Sequence, residues 1–309
     1  MTQAYSIGTP GQSWGDKEKA LWRQNQQIKR SYHDEVVTKI NALSSDFEVV
    51  QYGKLDYFEG QYPLFAFKSQ PWCDAKPTVL VTGGVHGYET SGVQGALRFA
   101  ATQAKQYAKH FNLLIAPCVS PWGYETINRW NPLALDPNRS FYPNSPAGES
   151  AALMSLVANS TGTLTAHIDL HETTETDNSE FRPALAARDG TEHSNWDIPD
   201  GFYLVGDSEN PCDAMQQAII EAVAKVTHIA PADEQGRLIG APTSQFGVIN
   251  YPTKSLGLCT GFSDARFNTT TEVYPDSPQV DAENCILAQV EAVTSALDFI
   301  LNQLKAGDE

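Results

Sequence analysis

From Ala282 to Leu304 the apolar residues Ile286, Leu287, Val290, Val293, Leu297, Ile300, Leu301 and Leu304 recur at helical spacing, which predicts one long helix with a single apolar face. Residues 15–43 mix Lys, Glu, Gln and Arg with Leu21, Ile28, Val36, Val37, Ile40 and Leu43, the pattern of a surface helix with an interruption near Ser31 and Tyr32. Short alternating runs at Phe47–Tyr52 and Tyr62–Lys68 predict strands, with turns at Asp56, Gly60 and Pro63. Pro77–Thr82 reads as a buried strand stopped by Gly83-Gly84, and a helix follows from Thr90 to about Lys105. Phe111–Val119 is almost wholly apolar, as a strand covered on both faces must be. A long polar loop is expected from Pro121 to about Pro146, then a helix over Gly148–Ala158 and a strand over Leu164–His171. Asn210-Pro211 supplies an N-cap and first position for a helix reaching about Thr227.

Strands alternating with helices imply an α/β fold of three layers, α/β/α, around a mixed, mostly parallel twisted sheet. No linker or composition break divides the chain, so residues 1–309 are expected to form one domain with a helical lead-in over about residues 1–45. With 41% hydrophobic and 19% charged residues the 33.8 kDa chain has the make-up of an ordinary globular protein. Its formal charge of −16 repels nucleic acid and anionic membrane surfaces, and neither is expected as a partner. The N-terminus has no basic segment followed by an apolar one, and no run of about eighteen apolar residues occurs, so a cytoplasmic protein without a membrane span is expected. Five scattered cysteines without a CxxC fit reduced thiols.

Candidate chemistry begins at Gly83-Gly84-Val85-His86-Gly87-Tyr88-Glu89, a loop at the carboxyl end of a buried strand, where open α/β sheets place their ligands. His86 and Glu89 supply two-thirds of the His₂Glu set used by catalytic zinc. The strand Leu164–His171 alternates strictly, with Leu164, Ala166, Ile168 and Leu170 on one face and Thr165, His167, Asp169 and His171 on the other. His171 at the carboxyl end is the better ligand, and His167 with Asp169 reads as a satisfied polar pair in the core. Neighbouring residues on a strand point to opposite faces, so Glu172 is expected to aim away from a metal held by His171.

The ordered set of HxxE at His86 and Glu89, Asp136-Pro137-Asn138-Arg139 as DxNR, a strand ending Asp169-Leu170-His171, and a late Thr-x-Glu ending at Glu272 resembles the zinc carboxypeptidase superfamily. That superfamily includes the aspartoacylase and succinylglutamate desuccinylase branch. The likeness covers roughly residues 75 to 275. It implies one zinc ion per chain held by His86, Glu89 and His171, with an open position for water whose pKa the ion lowers toward neutrality. It assigns Asn138 and Arg139 to the free carboxylate of the substrate, and Asp136 to the non-ligating nitrogen of His86. Arg129 matches the loop arginine that stabilises the developing oxyanion. Glu272 matches the glutamate that acts as general base and then as acid toward the leaving nitrogen. Tyr251 is the nearest candidate for a tyrosine that helps hold the substrate.

The resemblance therefore implies a hydrolase cleaving an amide bond beside a free carboxylate, most directly a metallocarboxypeptidase acting on small peptides. N-acyl amino acid deacylation uses the same elements and is the alternative, and an inactive metal-binding relative is a third reading. A serine hydrolase is disfavoured, because Gly261-Phe262-Ser263-Asp264-Ala265 lacks the second glycine of a nucleophile elbow.

Overall fold

A computed structural model describes residues 5–307, and the remaining residues of the expected single unit, at its two ends, lie outside them. The lead-in contains α1 (Asp16–Gln24), a π turn over His33–Val37 and α2 (Thr38–Ala42). The predicted interruption is wider than Ser31 and Tyr32, since helix stops at Gln24 and resumes at His33. A hairpin of β1 (Phe47–Tyr57) and β2 (Gly60–Ser69) follows. Then come β3 (Thr78–Gly83), α3 (Thr90–Thr102), α4 (Ala104–Tyr107), β4 (Asn112–Ala116), α5 (Pro121–Thr126), α6 (Gly148–Ser160) and β5 (Ala166–Glu172). Beyond them lie α7 (Arg182–Asp189), β6 (Tyr203–Asp207), α8 (Asp213–Val223), β7 (Arg237–Leu238), β8 (Ala241–Gln245), β9 (Val248–Tyr251), β10 (Phe267–Val273) and α9 (Ala282–Gly307).

The strands form one ten-stranded mixed sheet in the order β1-β2-β4-β3-β5-β10-β6-β9-β8-β7. Its centre, β4-β3-β5-β10, is parallel, and antiparallel pairs flank it. Because β4 lies on one side of β3 and β5 on the other, the chain reverses its winding at β3. A crevice opens at such a point beyond the carboxyl ends of the strands.

Both faces of the centre are covered, as the apolar runs require. Val79, Val81, Ile168 and Leu170 pack with α3 and α9 residues such as Val93, Leu97, Val293 and Leu297. On the opposite face Leu80 and Leu114 pack against Leu153 and Leu156 of α6. The alternation predicted for β5 holds from Ala166 onward. Leu164 precedes the strand and packs on the α6 side. By length and mean hydropathy α9 could cross a membrane, but half of it is buried in the protein, where Ala288, Ala292, Ala296 and Ile300 meet the core.

Two expectations need correction. The segment from Pro121 to Pro146 is no open polar loop: it contains α5 and a 3-10 turn over Pro137–Arg139. Its Trp122, Tyr124 and Trp130 are buried, and Trp22 of α1 packs at a tilt against both tryptophans. Aromatic area, not backbone regularity, holds this stretch in place. The helix expected from Asn210 begins only at Asp213, with Cys212 at its N-cap, and Asn210 instead donates its amide to the backbone of Ala265 at 3.1 Å.

Candidate metal centre and substrate cavity

His86 and Glu89 occupy the loop between β3 and α3, and His171 is near the end of β5. Gly87 is required by space: a Cβ there would collide with the backbone of Ser120 and Tyr124, against which the loop lies flush. Arg30, in the break of the lead-in, braces the loop from behind. Its guanidinium donates to the backbone oxygens of Tyr124 at 2.6 Å and Gly87 at 3.1 Å and to Thr90 Oγ1 at 2.7 Å.

The two imidazoles present their Nδ1 atoms to one carboxylate. His86 Nδ1 is 2.8 Å from Glu89 Oε1, and His171 Nδ1 is 2.8 Å from Glu89 Oε2. All three side chains are buried, and one ligand atom from each falls within 4.8 Å of the others. Burial pushes the Glu89 carboxyl up, but the imidazoles facing it outweigh that and hold it at about 2.

Each far nitrogen meets a second carboxylate. His86 Nε2 lies 2.9 Å from Asp136 Oδ1, and His171 Nε2 lies 2.7 Å from Asp169 Oδ2. A carboxylate on Nε2 keeps the proton there and leaves the Nδ1 lone pair free to bind a cation. Two imidazoles and a carboxylate, buried, convergent and oriented in this way, fit the donor set of catalytic zinc.

Asp136 stands where the resemblance put it. Asp169 does more than satisfy a core histidine, and the strand period already carried the signal: two residues before His171 on β5, it must share that face. Thr82 Oγ1 donates to Asp169 Oδ1 at 2.6 Å and lies 3.0 Å from His167 Nε2. Since the hydroxyl proton goes to the carboxylate, His167 is the donor to Thr82, and its burial without an acid in contact pulls it down to about 4. Thr82→Val removes the donor that fixes Asp169. We expect metal affinity to fall roughly 10- to 100-fold while Thr82→Ser keeps it; equal zinc affinity of Thr82→Val and the parent in a chelator competition would contradict this.

β10 runs parallel to β5 with Glu272 in register with His171, which places their side chains on the same face. Thr173 Oγ1 donates to Glu272 Oε2 at 2.8 Å. Burial first, then the negative charges of Glu89 and Asp177, push the Glu272 carboxyl up to about 8 against the pull of His171, before the field of any cation is added. The two acids that closely follow His171 in sequence are engaged elsewhere: Glu172 accepts the Ser91 amide of α3 at 2.6 Å, and Glu175 accepts the Tyr274 hydroxyl at 2.8 Å.

These groups open onto one cavity of about 970 Å³, which Arg129, Asn138, Arg139 and Tyr251 also line. Arg129 is held by Asp136 at 3.1 Å through Nε and by Asp177 at 3.3 Å through Nη1, so Nη2 is left for a ligand. Asn138 accepts the Cys259 amide through Oδ1 at 2.8 Å, which leaves its NH₂ as a donor. Arg139 Nη1 donates to the Asn138 backbone oxygen at 2.7 Å. Asp177 and Arg182, which carry no motif, also line the cavity. Both follow β5 in a segment that starts as a π turn over Asp177–Phe181, whose irregular period hides the helix.

The mixed sheet with these groups at the carboxyl ends of parallel strands is also the fold of solved metallopeptidase and metallocarboxypeptidase structures. The chain shares 19% identity with a candidate metallopeptidase from Shewanella amazonensis SB2B, with a TM-score of 0.64 over 89% of this chain and 98% of that one. It is also similar to a metallo-carboxypeptidase from Burkholderia cenocepacia (14% identity, TM-score 0.61, 89% and 70% covered). A third similar structure is a Pseudomonas aeruginosa metallo-carboxypeptidase in complex with (2-guanidinoethylmercapto)succinic acid (13%, TM-score 0.60, 88% and 70%). No curated protein matches the chain significantly. Residues 75–200 match the family of the succinylglutamate desuccinylase/aspartoacylase catalytic domain. The match and the shared fold make the chain similar to the zinc carboxypeptidase superfamily, which includes this branch.

Proposed function

We propose that the protein is a zinc-dependent hydrolase that cleaves an amide bond next to a free carboxylate, acting on peptides as a metallocarboxypeptidase. The observation that carries it is the convergence on one cavity of a buried His₂Glu set, an acid in register with one of its histidines, and Arg139, which makes no ion pair among the described residues. Zinc bound by His86, Glu89 and His171 supplies Lewis acidity and lowers the pKa of water. Glu272 takes the proton of the attacking water on its carboxylate and returns it to the leaving nitrogen. The free Nη2 of Arg129 stabilises charge growing on the carbonyl oxygen. Asn138 and Arg139 bind the terminal carboxylate, the arginine through its remaining N–H edge, and Tyr251 flanks it. A cavity of about 970 Å³ is at the upper end of small-molecule sites and leaves room for residues preceding the scissile bond.

The match over residues 75–200 favours N-acyl amino acid deacylation as a second reading. A panel of peptides with free C-termini set against N-acyl amino acids, with zinc and after chelation, separates the two. Peptide hydrolysis is the expected result, and zinc-loaded protein inert toward every member of both groups would end the hydrolase proposal.

A further inference from the structure

Glu149 is a buried acid that the proposed mechanism does not use, and it forms no ion pair among the described residues. Burial pushes its carboxyl up, and two donors oppose that: the Tyr57 hydroxyl at the end of β1, 2.6 Å from Oε1, and the Asn131 NH₂, 3.1 Å from Oε2. Glu149 sits in the first turn of α6, where the free backbone N–H groups make a carboxylate least costly.

Asn131 joins this acid to the site. Its Oδ1 accepts the backbone N–H groups of Leu133 at 3.0 Å and Leu135 at 3.2 Å, which leaves its NH₂ for Glu149. Its own backbone N–H donates to the Leu135 carbonyl at 2.9 Å, and its carbonyl accepts from Ala134 N at 2.9 Å. The loop so closed holds Ala134 at a φ of 57°, a left-handed conformation that a residue with a Cβ keeps only where its surroundings impose it. Closure folds the chain back, so that Arg129 and Asp136, seven residues apart, meet at 3.1 Å. The next residue of α6, Ser150, donates to the Pro137 carbonyl at 2.8 Å. One helical turn thus grips at two points the stretch that carries Arg129, Asp136, Asn138 and Arg139.

We propose that Glu149 is a positioning residue: through Asn131 it sets the loop that pairs Arg129 with Asp136, and so aims the first at the reacting carbonyl and the second at His86. Aiming Arg129 rests on the hydrolase proposed above, whereas holding His86 through Asp136 bears on zinc binding alone.

The test is Glu149→Leu in zinc-loaded protein, which keeps the bulk of the side chain but leaves the Asn131 NH₂ buried without an acceptor. We expect kcat to fall roughly 10- to 100-fold, as when a remote change displaces a catalytic group, with KM little changed. Glu149→Gln should restore most of it, because its oxygen accepts from Asn131 while its NH₂ donates to the Tyr57 oxygen. In an Arg129→Ala background Glu149→Leu should cost little more, whereas a merely structural loss would persist there. Should Glu149→Leu fail to fold, Glu149→Asp, one methylene too short to reach both partners, takes its place with a smaller loss in the same direction. Chelator competition gives a readout independent of turnover: zinc affinity should fall in Glu149→Leu and recover in Glu149→Gln. A folded Glu149→Leu protein with the kcat of the parent, or a loss undiminished by Arg129→Ala, would overturn the proposal. If no substrate is cleaved the hydrolase proposal falls, and zinc affinity then decides for Glu149: an unchanged value in the folded variant rejects its role.

Discussion

Glu272→Gln is expected to bind zinc as the parent does and to lose turnover by roughly 10²- to 10⁴-fold, the usual contribution of a general acid–base group. Glutamine keeps the size of the side chain and an oxygen that can accept from Thr173, which now bonds the carboxylate at 2.8 Å. What it loses is the ability to take up and release a proton. The register of β10 with β5 makes the variant informative, because Glu272 stands beside His171 without belonging to the cluster of His86, Glu89 and His171. Metal content therefore should not change, and the fall should appear in kcat rather than KM. A Gln variant within tenfold of the parent would remove Glu272 from the mechanism.

Removing the metal should have an effect at least as large. We expect about one zinc per chain, complete loss of hydrolysis after dialysis against a chelator, and recovery on adding zinc, as an open His₂Glu site requires. The melting temperature should fall in the same treatment, because an ion bound by the folded chain alone stabilises it by mass action. Metal analysis, activity and thermal unfolding of one preparation check all three. Full activity in protein shown to be metal-free would exclude the zinc mechanism.

The central part of the site was legible because its signals are local or periodic. His86 and Glu89 lie in one short loop after an apolar run, and the two-residue period of β5 put His171 on the polar face. Arg129, Asn138, Arg139 and Glu272 came from the family pattern, since nothing local distinguishes them from surface residues. The strands β7, β8 and β9 at one end of the sheet leave no pattern in the sequence because they are two to five residues long and partly exposed, too short for alternation to register. The region from Pro121 to Pro146 was misread because its Asn, Pro and Trp residues resemble solvent-facing loop, whereas the tryptophans are core. Asp169 reads from the sequence as a partner of His167, and its contact with the His171 ring depends on which nitrogen faces inward, a matter of side-chain geometry.

The brace that Arg30 makes has a consequence for how portable the site is. The loop carrying His86 and Glu89 takes its shape from Gly87 pressed on the backbone at Ser120 and Tyr124, and from a guanidinium 57 residues upstream. A transplant of the HxxE loop into another scaffold would bring the donor atoms but leave behind the tertiary grip that aims them.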